Sequence, residues 1–147
     1  MKKLALVLIG ITCMSLLLSV SAVGAGKSVR CAMCTKKMKA DSKTIYTLTL
    51  KNDKEKVCCC AHCGIMLQQR LKKEVKSAKT KDYKSGAEID PTKAVYVVKS
   101  KERPCCCPSI LAFKTKEDAE KFVRDKEGKV MSFEETCKLG QKTCRRK

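Results

Sequence analysis

Tryptophan is absent from the 147-residue sequence, and the aromatic residues are limited to three Tyr and three Phe. Because aromatic side chains supply much of the volume of a hydrophobic core, the core of this chain is modest. We therefore expect a single domain, with or without an internal duplication, whose stability depends partly on bound metal or cross-linked sulfur.

Sets of residues typical of enzymes are also missing. The only histidine is His62, and no Ser/His/Asp set is present. The segment Gly24-Ala25-Gly26-Lys27-Ser28 is not a phosphate loop, because Ser21 stands where the first glycine is required. Of the acids, only Asp41 and Asp82 are candidates to assist a thiol, and both lie in turn-like stretches. The sequence thus predicts a protein that is not an enzyme, with thiol chemistry on organomercurials or disulfides as the enzymatic alternative.

The only long apolar run lies at the N-terminus. Lys2 and Lys3 precede an apolar stretch at residues 4–18, and small residues follow it. This order is typical of a cleaved secretory signal, here residues 1–26, and the run is short for a membrane-spanning helix. Cys13 lies in a poor context for lipid attachment. We expect a periplasmic or secreted protein, with a lipoprotein or an uncleaved anchor as less favoured alternatives.

Acidic residues are scarce, since 15 Asp and Glu stand against 33 Lys and Arg and give a net charge of +18. A surface of this kind suits nucleic acid, an anionic membrane or an acidic protein. Export makes nucleic acid the least expected of these, so we expect no nucleic-acid partner. Contact with an anionic membrane surface and an acidic protein partner both fit, although the lysines also suit a merely solvated face.

Cysteine is abundant, with twelve in the chain. Cys31 and Cys34 form one C-x-x-C pair, and Cys60 and Cys63 form a second about 25 residues later. The second pair lies at the predicted start of a helix, where free N–H groups favour thiolates. We expect these four sulfurs to bind one soft ion, either Zn²⁺ or Cu(I).

Other soft donors lie near these pairs. Met33 and Met38 flank the first pair, and thioether with thiolate favours Cu(I) over Zn²⁺, although either methionine also suits a gap in the core. His62 is a candidate ligand, or a residue that orients a ligand or caps the helix. The prolines of residues 104–108 hold a triple-cysteine loop extended and exposed, so Cys106 is the candidate ligand of an auxiliary site.

Disulfides are the alternative use of these cysteines. Removal of the signal takes Cys13 away and leaves an odd number, and adjacent cysteines bridge each other only with strain. Cys137 and Cys144 have the positions of a tether for the last helix. We favour metal binding over cross-linking, and cross-linking over a redox dithiol.

The pattern of elements predicts an α+β fold of two ββα-type units in tandem. In the first unit, residues 27–78, two strands at 45–50 and 56–59 precede a helix at 61–76. The second unit, residues 79–140, repeats this order after a polar joint. Its predicted elements are strands at 94–98 and 109–113, a helix from Thr115 to Gly128, a strand at 129–131 and a helix from Ser132 to near Gly140. A loose basic tail is expected at 141–147.

Several segments resemble the NosL family of nitrous-oxide-reductase accessory proteins. They are residues 83–90, 94–100, 112–113 with 118–122, and 128–135, and both C-x-x-C pairs match in position. The resemblance implies an exported Cu(I)-binding chaperone that delivers copper to nitrous oxide reductase. It also implies two ββα-based halves and a distant fold kinship with organomercurial lyase.

The chain departs from this family in its sulfur donors. Thr35-Lys36 replaces the Gly-Met that usually follows the second cysteine, and residues 105–107 replace a methionine-containing turn. Thiolates bind soft ions more tightly than thioethers, which suits sequestration. We therefore expect a Cu(I) chaperone or scavenger that supplies an acceptor metalloprotein, nitrous oxide reductase or its assembly machinery among them. The alternative is a structural protein held together by Zn²⁺ or disulfides.

Overall fold

The computed structural model describes residues 28–143, with side chains through residue 139. The predicted signal peptide and residues 144–147 therefore lie outside the described residues. The strands are β1 (Ser28–Arg30), β2 (Lys37–Lys39), β3 (Tyr46–Leu50), β4 (Glu55–Cys58), β5 (Val75–Lys81), β6 (Glu88–Ile89), β7 (Val95–Val98), β8 (Ile110–Phe113) and β9 (Lys129–Met131). The helices are α1 (Ala61–Arg70), α2 (Lys116–Lys126) and α3 (Phe133–Thr143).

The first unit is built on a four-stranded antiparallel sheet in the order β4-β3-β5-β6. In β3, alternate residues are buried, and they include Tyr46, Leu48 and Leu50. This period of two matches a strand that packs one face on a core. Helix α1 packs against that face, so the predicted β-β-α order of the first unit is confirmed.

The predicted helix at 61–76 is too long. Helix α1 ends at Arg70, a turn follows, and Val75 begins β5, which pairs with the second edge of β3. The apolar residues Leu71 and Val75 fit the helical period, but pairing with β3 satisfies the backbone groups of residues 75–81 along a sheet instead. Strand β5 also crosses the boundary predicted between residues 78 and 79.

The second unit contains a three-stranded sheet in the order β8-β7-β9, and α2 packs against it. The side chain of Thr115 accepts a hydrogen bond from the Asp118 N–H at 3.2 Å, as the predicted cap requires. Ser132 and Glu135 cap α3 reciprocally, with bonds of 2.8 and 3.3 Å. These caps confirm the predicted helix starts. Helix α3 continues to Thr143, so the first residues of the predicted loose tail are helical.

Two close contacts position the cysteines. A β-carbon on Gly64 would lie 2.1 Å from Cγ of Tyr46, so only glycine lets α1 approach β3 this closely. Strands β1 and β2 form a hairpin that the sequence did not predict. A 2.9 Å hydrogen bond from the Ala32 N–H to the Val57 carbonyl joins this hairpin to β4. The tip of this hairpin therefore lies beside the start of α1. None of the helices among the described residues is long and apolar enough to span a membrane.

Candidate metal centre

The tip of the β1–β2 hairpin presents the first two thiols. The Thr35 N–H bonds the Cys31 carbonyl at 2.9 Å, and Thr35 has a φ of 60°, so the chain turns back sharply. The N–H groups of Met33 and Cys34 point at Sγ of Cys31, at 3.4 and 3.5 Å. Cys31 is buried, whereas Cys34 is exposed. This hairpin tip with Cys31 and Cys34, called the knuckle below, therefore has one buried thiol and one exposed thiol.

The backbone around Cys31 favours its thiolate. Burial acts to raise the pKa of Cys31, but backbone hydrogen bonds from Cys34, Cys59 and Met33 outweigh it and lower the pKa to about 7. Burial raises the pKa of Cys34. Because the thiolate is the form that binds metal, Cys31 is ready to bind a soft cation near neutral pH.

The junction of β4 and α1 supplies the next thiols. Sγ of Cys59 lies 3.6 Å from Sγ of Cys34 and 3.7 Å from Sγ of Cys63. The four sulfurs of Cys31, Cys34, Cys59 and Cys63 all lie within 4.8 Å of one another. The knuckle and the helix start thus converge, but the knuckle is joined by Cys59 rather than by Cys60.

The loop at 104–108 lies over the sulfurs of Cys59 and Cys63. Sγ of Cys106 lies 3.5 Å from that of Cys63 and 3.6 Å from that of Cys59. A second group, in which all sulfurs lie within 4.8 Å, consists of Cys59, Cys60, Cys63 and Cys106. Hydrogen bonds from neighbouring thiols, that of Cys105 foremost, lower the pKa of Cys106 far below its usual range. The pKa of Cys63 is raised, chiefly because its thiol donates to Cys106.

A cleft of about 340 Å³ opens onto these sulfurs. Its walls are Met33, Cys34, Thr35, His62, Cys63, Cys106 and Cys107. Met38 lies instead on a different cleft, beside Cys59 and Cys105. Of the two predicted methionine ligands, the structure therefore places Met33 on the wall that contains Cys34, Cys63 and Cys106, and Met38 elsewhere.

His62 is buried, and both of its ring nitrogens lack a hydrogen-bond partner among the described residues. Burial lowers the pKa of His62, so the imidazole is neutral at pH 7. The ring lines the cleft beside Cys63 and Cys106, but its nitrogens belong to neither group of four converging ligand atoms. The geometry therefore favours the sequence-based alternative in which His62 orients a ligand over the one in which it is a ligand itself.

Cys59 is the site residue that sequence reasoning overlooked. The C-x-x-C motif selects Cys60, which is the N-cap of α1. The missed signal was the i, i+4 spacing of Cys59 and Cys63. All ten cysteines of the described residues are free thiols, and Cys137 among them is partly buried on α3. Its proposed tether partner, Cys144, lies outside the described residues.

Asp82, a candidate for assisting a thiol, is occupied by other bonds. Its carboxylate accepts hydrogen bonds from the Ser85 N–H at 2.9 Å and from the Lys114 N–H at 3.0 Å. The Ser85 bond closes the loop after β5 on itself, and the Lys114 bond fastens that loop to the end of β8. The geometry therefore gives Asp82 a structural role.

Fold and site together define a small α+β protein with a multi-thiol centre whose spacing suits metal ligation. The NosL family model matches residues 24–138, and the chain belongs to the NosL family. The family resemblance and the α+β class expected from the sequence are both confirmed.

Two relatives extend this comparison. The structure superimposes on the crystal structure of the copper chaperone NosL from Shewanella denitrificans with a TM-score of 0.61 and 24% sequence identity. The match covers 76% of this chain and 92% of the Shewanella chain. That likeness shows the fold. The HTH-type transcriptional repressor CutR of Bacillus subtilis (strain 168) is 26% identical over 106 residues, which is 71% of this chain and 55% of CutR. The chain thus spans about half the length of that curated relative.

Proposed function

We propose that this protein is a non-enzymatic Cu(I)-binding chaperone or scavenger that acts outside the cytoplasm. The observation that carries the proposal is the convergence of the knuckle, the helix start and the 104–108 loop on two overlapping groups of four cysteine sulfurs. A donor set made of sulfur selects soft ions, and Cu(I) is the softest common candidate. Membership of the NosL family and a structural relative described as a copper chaperone support copper as the cargo.

The exposure of the cluster suits transfer by ligand exchange. Cys34 is exposed at the edge of the cleft, while Cys31 and Cys63 are buried behind it. An incoming thiolate or thioether of an acceptor would replace Cys34 first and the buried sulfurs afterwards. Copper would therefore leave stepwise without ever being a free ion.

A basic surface suits an acceptor metalloprotein with an acidic docking face, since removal of Lys2 and Lys3 with the signal lowers the net charge only from +18 to +16. The family resemblance makes nitrous oxide reductase or its assembly machinery the first acceptor to test. The N-terminal signal and the basic surface support a periplasmic or secreted protein that also touches anionic membranes. The mass of the mature N-terminus in an extracytoplasmic fraction tests the export.

Copper binding is tested with anaerobically purified protein and a colorimetric Cu(I) chelator as competitor. Wild type should retain Cu(I), and Cys59→Ser/Cys63→Ser should lose affinity by more than about 100-fold, since even orienting residues contribute 10- to 100-fold. Cys107→Ser is the matched control, because Cys107 is exposed and belongs to neither group. Release of all copper by wild type to the chelator would refute the proposal.

Structural zinc is the second candidate, because four cysteines at this spacing also suit tetrahedral Zn²⁺. The two functions differ in their response to competition. A copper protein should release bound Zn²⁺ on addition of one equivalent of Cu(I), as measured by a zinc-sensitive dye. Retained Zn²⁺, together with unfolding on chelation, would instead establish the structural role.

A further inference from the structure

The two thiol groups of the metal centre are not separate, because Cys59 and Cys63 belong to both. Their sulfurs are 3.7 Å apart. Cys31 and Cys34 complete one group of four, and Cys60 with Cys106 completes the other. The six sulfurs therefore form two four-donor sets that meet along the Cys59–Cys63 edge.

The spacing of the sulfurs matches a metal-ligand polyhedron. An ion about 2.3 Å from each of four tetrahedral sulfurs requires an edge of about 3.8 Å. The Cys34–Cys59 distance of 3.6 Å and the Cys63–Cys106 distance of 3.5 Å lie close to that edge, one in each set. Each set thus has room for an ion of its own without large movement of the backbone.

One ion cannot use all six sulfurs, because soft ions such as Cu(I) and Zn²⁺ accept at most four thiolates. A thiolate sulfur has further lone pairs and can bridge two soft ions. Cys59 and Cys63 are placed to bridge in this way. Both are shielded from water, at 1% and 6% exposure.

We propose that the centre binds two Cu(I) ions as one cluster, in which the sulfurs of Cys59 and Cys63 bridge the ions. Cys31 and Cys34 complete the coordination of the first ion, and Cys60 and Cys106 complete that of the second. This inference rests on the proposed function, since it specifies the number of copper ions and their shared ligands. The triple-cysteine loop acquires a specific role, because Cys106 reaches only the second ion.

Native mass spectrometry of the full mature chain, titrated anaerobically with Cu(I), tests the stoichiometry. Wild type should bind two ions. Cys31→Ser/Cys34→Ser and Cys60→Ser/Cys106→Ser should each bind one, because each pair belongs to one group only. Cys107→Ser, in the same loop but in neither group, should still bind two.

X-ray absorption tests the bridge directly in wild type, where folding of a variant is not at issue. A short copper–copper scattering path should be present at two equivalents of Cu(I), and it should be absent from Cys59→Ser/Cys63→Ser. Circular dichroism of the reduced apo variants serves as the folding control.

The outcomes separate the two proposals. One tightly bound ion in wild type, or two ions without a copper–copper path, would overturn the shared cluster and leave copper binding intact. Loss of both ions from Cys31→Ser/Cys34→Ser and from Cys60→Ser/Cys106→Ser, with unchanged circular dichroism, would overturn the assignment of ligands. No competitive Cu(I) binding by wild type would overturn the proposed function itself.

Discussion

The imidazole of His62 is buried at the cleft with no hydrogen-bond partner among the described residues. We predict that His62→Phe stabilises the reduced apo protein by about 1–2 kcal/mol, because it removes unsatisfied buried polar atoms. The same change should weaken Cu(I) binding by about 10-fold, the effect typical of residues that hold or orient a ligand. Urea unfolding and chelator competition measure the two effects.

Met66→Leu, a nearly isosteric change on the same helix, is the control and should alter neither quantity by much. Unchanged copper affinity in His62→Phe would mean that the histidine takes no part in metal binding. A loss of stability would mean that its ring nitrogens find partners in the protein.

Asp82 makes a pH-dependent contribution to stability. Burial opposes ionisation, but hydrogen bonds from Ser85 and Lys114 prevail and lower its pKa below the ordinary 3.8. A lowered pKa means that the stabilisation is fully present above the unfolded pKa and is lost as pH falls through the lower folded value. Asp82→Ala should lower the free energy of unfolding by about 2–3 kcal/mol at pH 7 and by much less at pH 2.

Urea midpoints at both pH values measure the Asp82 effect. Asp82→Asn keeps a hydrogen-bond acceptor but has no charge, so its urea midpoint at pH 7 should lie between those of wild type and the alanine variant. An equal loss at both pH values would contradict a contribution from the carboxylate charge.

At the scale of elements, the position of α1 depends on the contact between Gly64 and Tyr46. A methyl group at residue 64 would overlap the Tyr46 ring, so Gly64→Ala should push the helix away from β3. The free energy of unfolding should fall by about 1–3 kcal/mol or more. Because α1 carries Cys63, Cu(I) affinity should fall as well. Thermal unfolding of the apo protein and copper competition provide the measurements.

Arg70→Ala, at the exposed end of the same helix, is the matched control and should change stability by no more than about 0.5 kcal/mol. A Gly64→Ala protein with wild-type stability and copper affinity would show that α1 does not need this close approach to place its cysteine.

At the scale of the whole molecule, the net charge, which is +16 once Lys2 and Lys3 leave with the signal, should govern encounter with an acidic acceptor. Lys36 and Lys37 are exposed and line a cleft beside Cys59 and Cys105. We predict that Lys36→Glu/Lys37→Glu slows copper transfer to an acidic acceptor by more than about 10-fold at low salt, with little effect at high salt. Stopped-flow transfer kinetics measure this.

Lys121→Glu/Arg124→Glu makes the same change of charge on α2, away from the cluster, and should slow transfer less. If both variants slow transfer equally, net charge alone steers the encounter. If neither does, the basic surface has another purpose.

Much of the fold is determined by local sequence. The alternation in residues 45–50 predicts β3, and the caps at Thr115 and Ser132 predict the starts of α2 and α3, because these signals act between near neighbours. The abundance of cysteine and the NosL-like segments likewise indicate a thiol-rich member of that family from the order of residues alone.

The tertiary structure decided which partners these segments take. Val75 fits the helical period of the residues before it, yet residues 75–81 pair with the free edge of β3 as a strand. Likewise Cys58, Cys59 and Cys60 are adjacent in sequence, and only the structure shows which of them belongs to both four-sulfur groups. The β3–β4 register pairs Cys58 with Tyr46, so β4 ends there with the Cys58 thiol against Cys31. Cys59 is thereby the residue just past the strand, with its sulfur 3.6 Å from that of Cys34. The register of two strands makes that choice, and register is a long-range property that the spacing of cysteines along the chain does not contain.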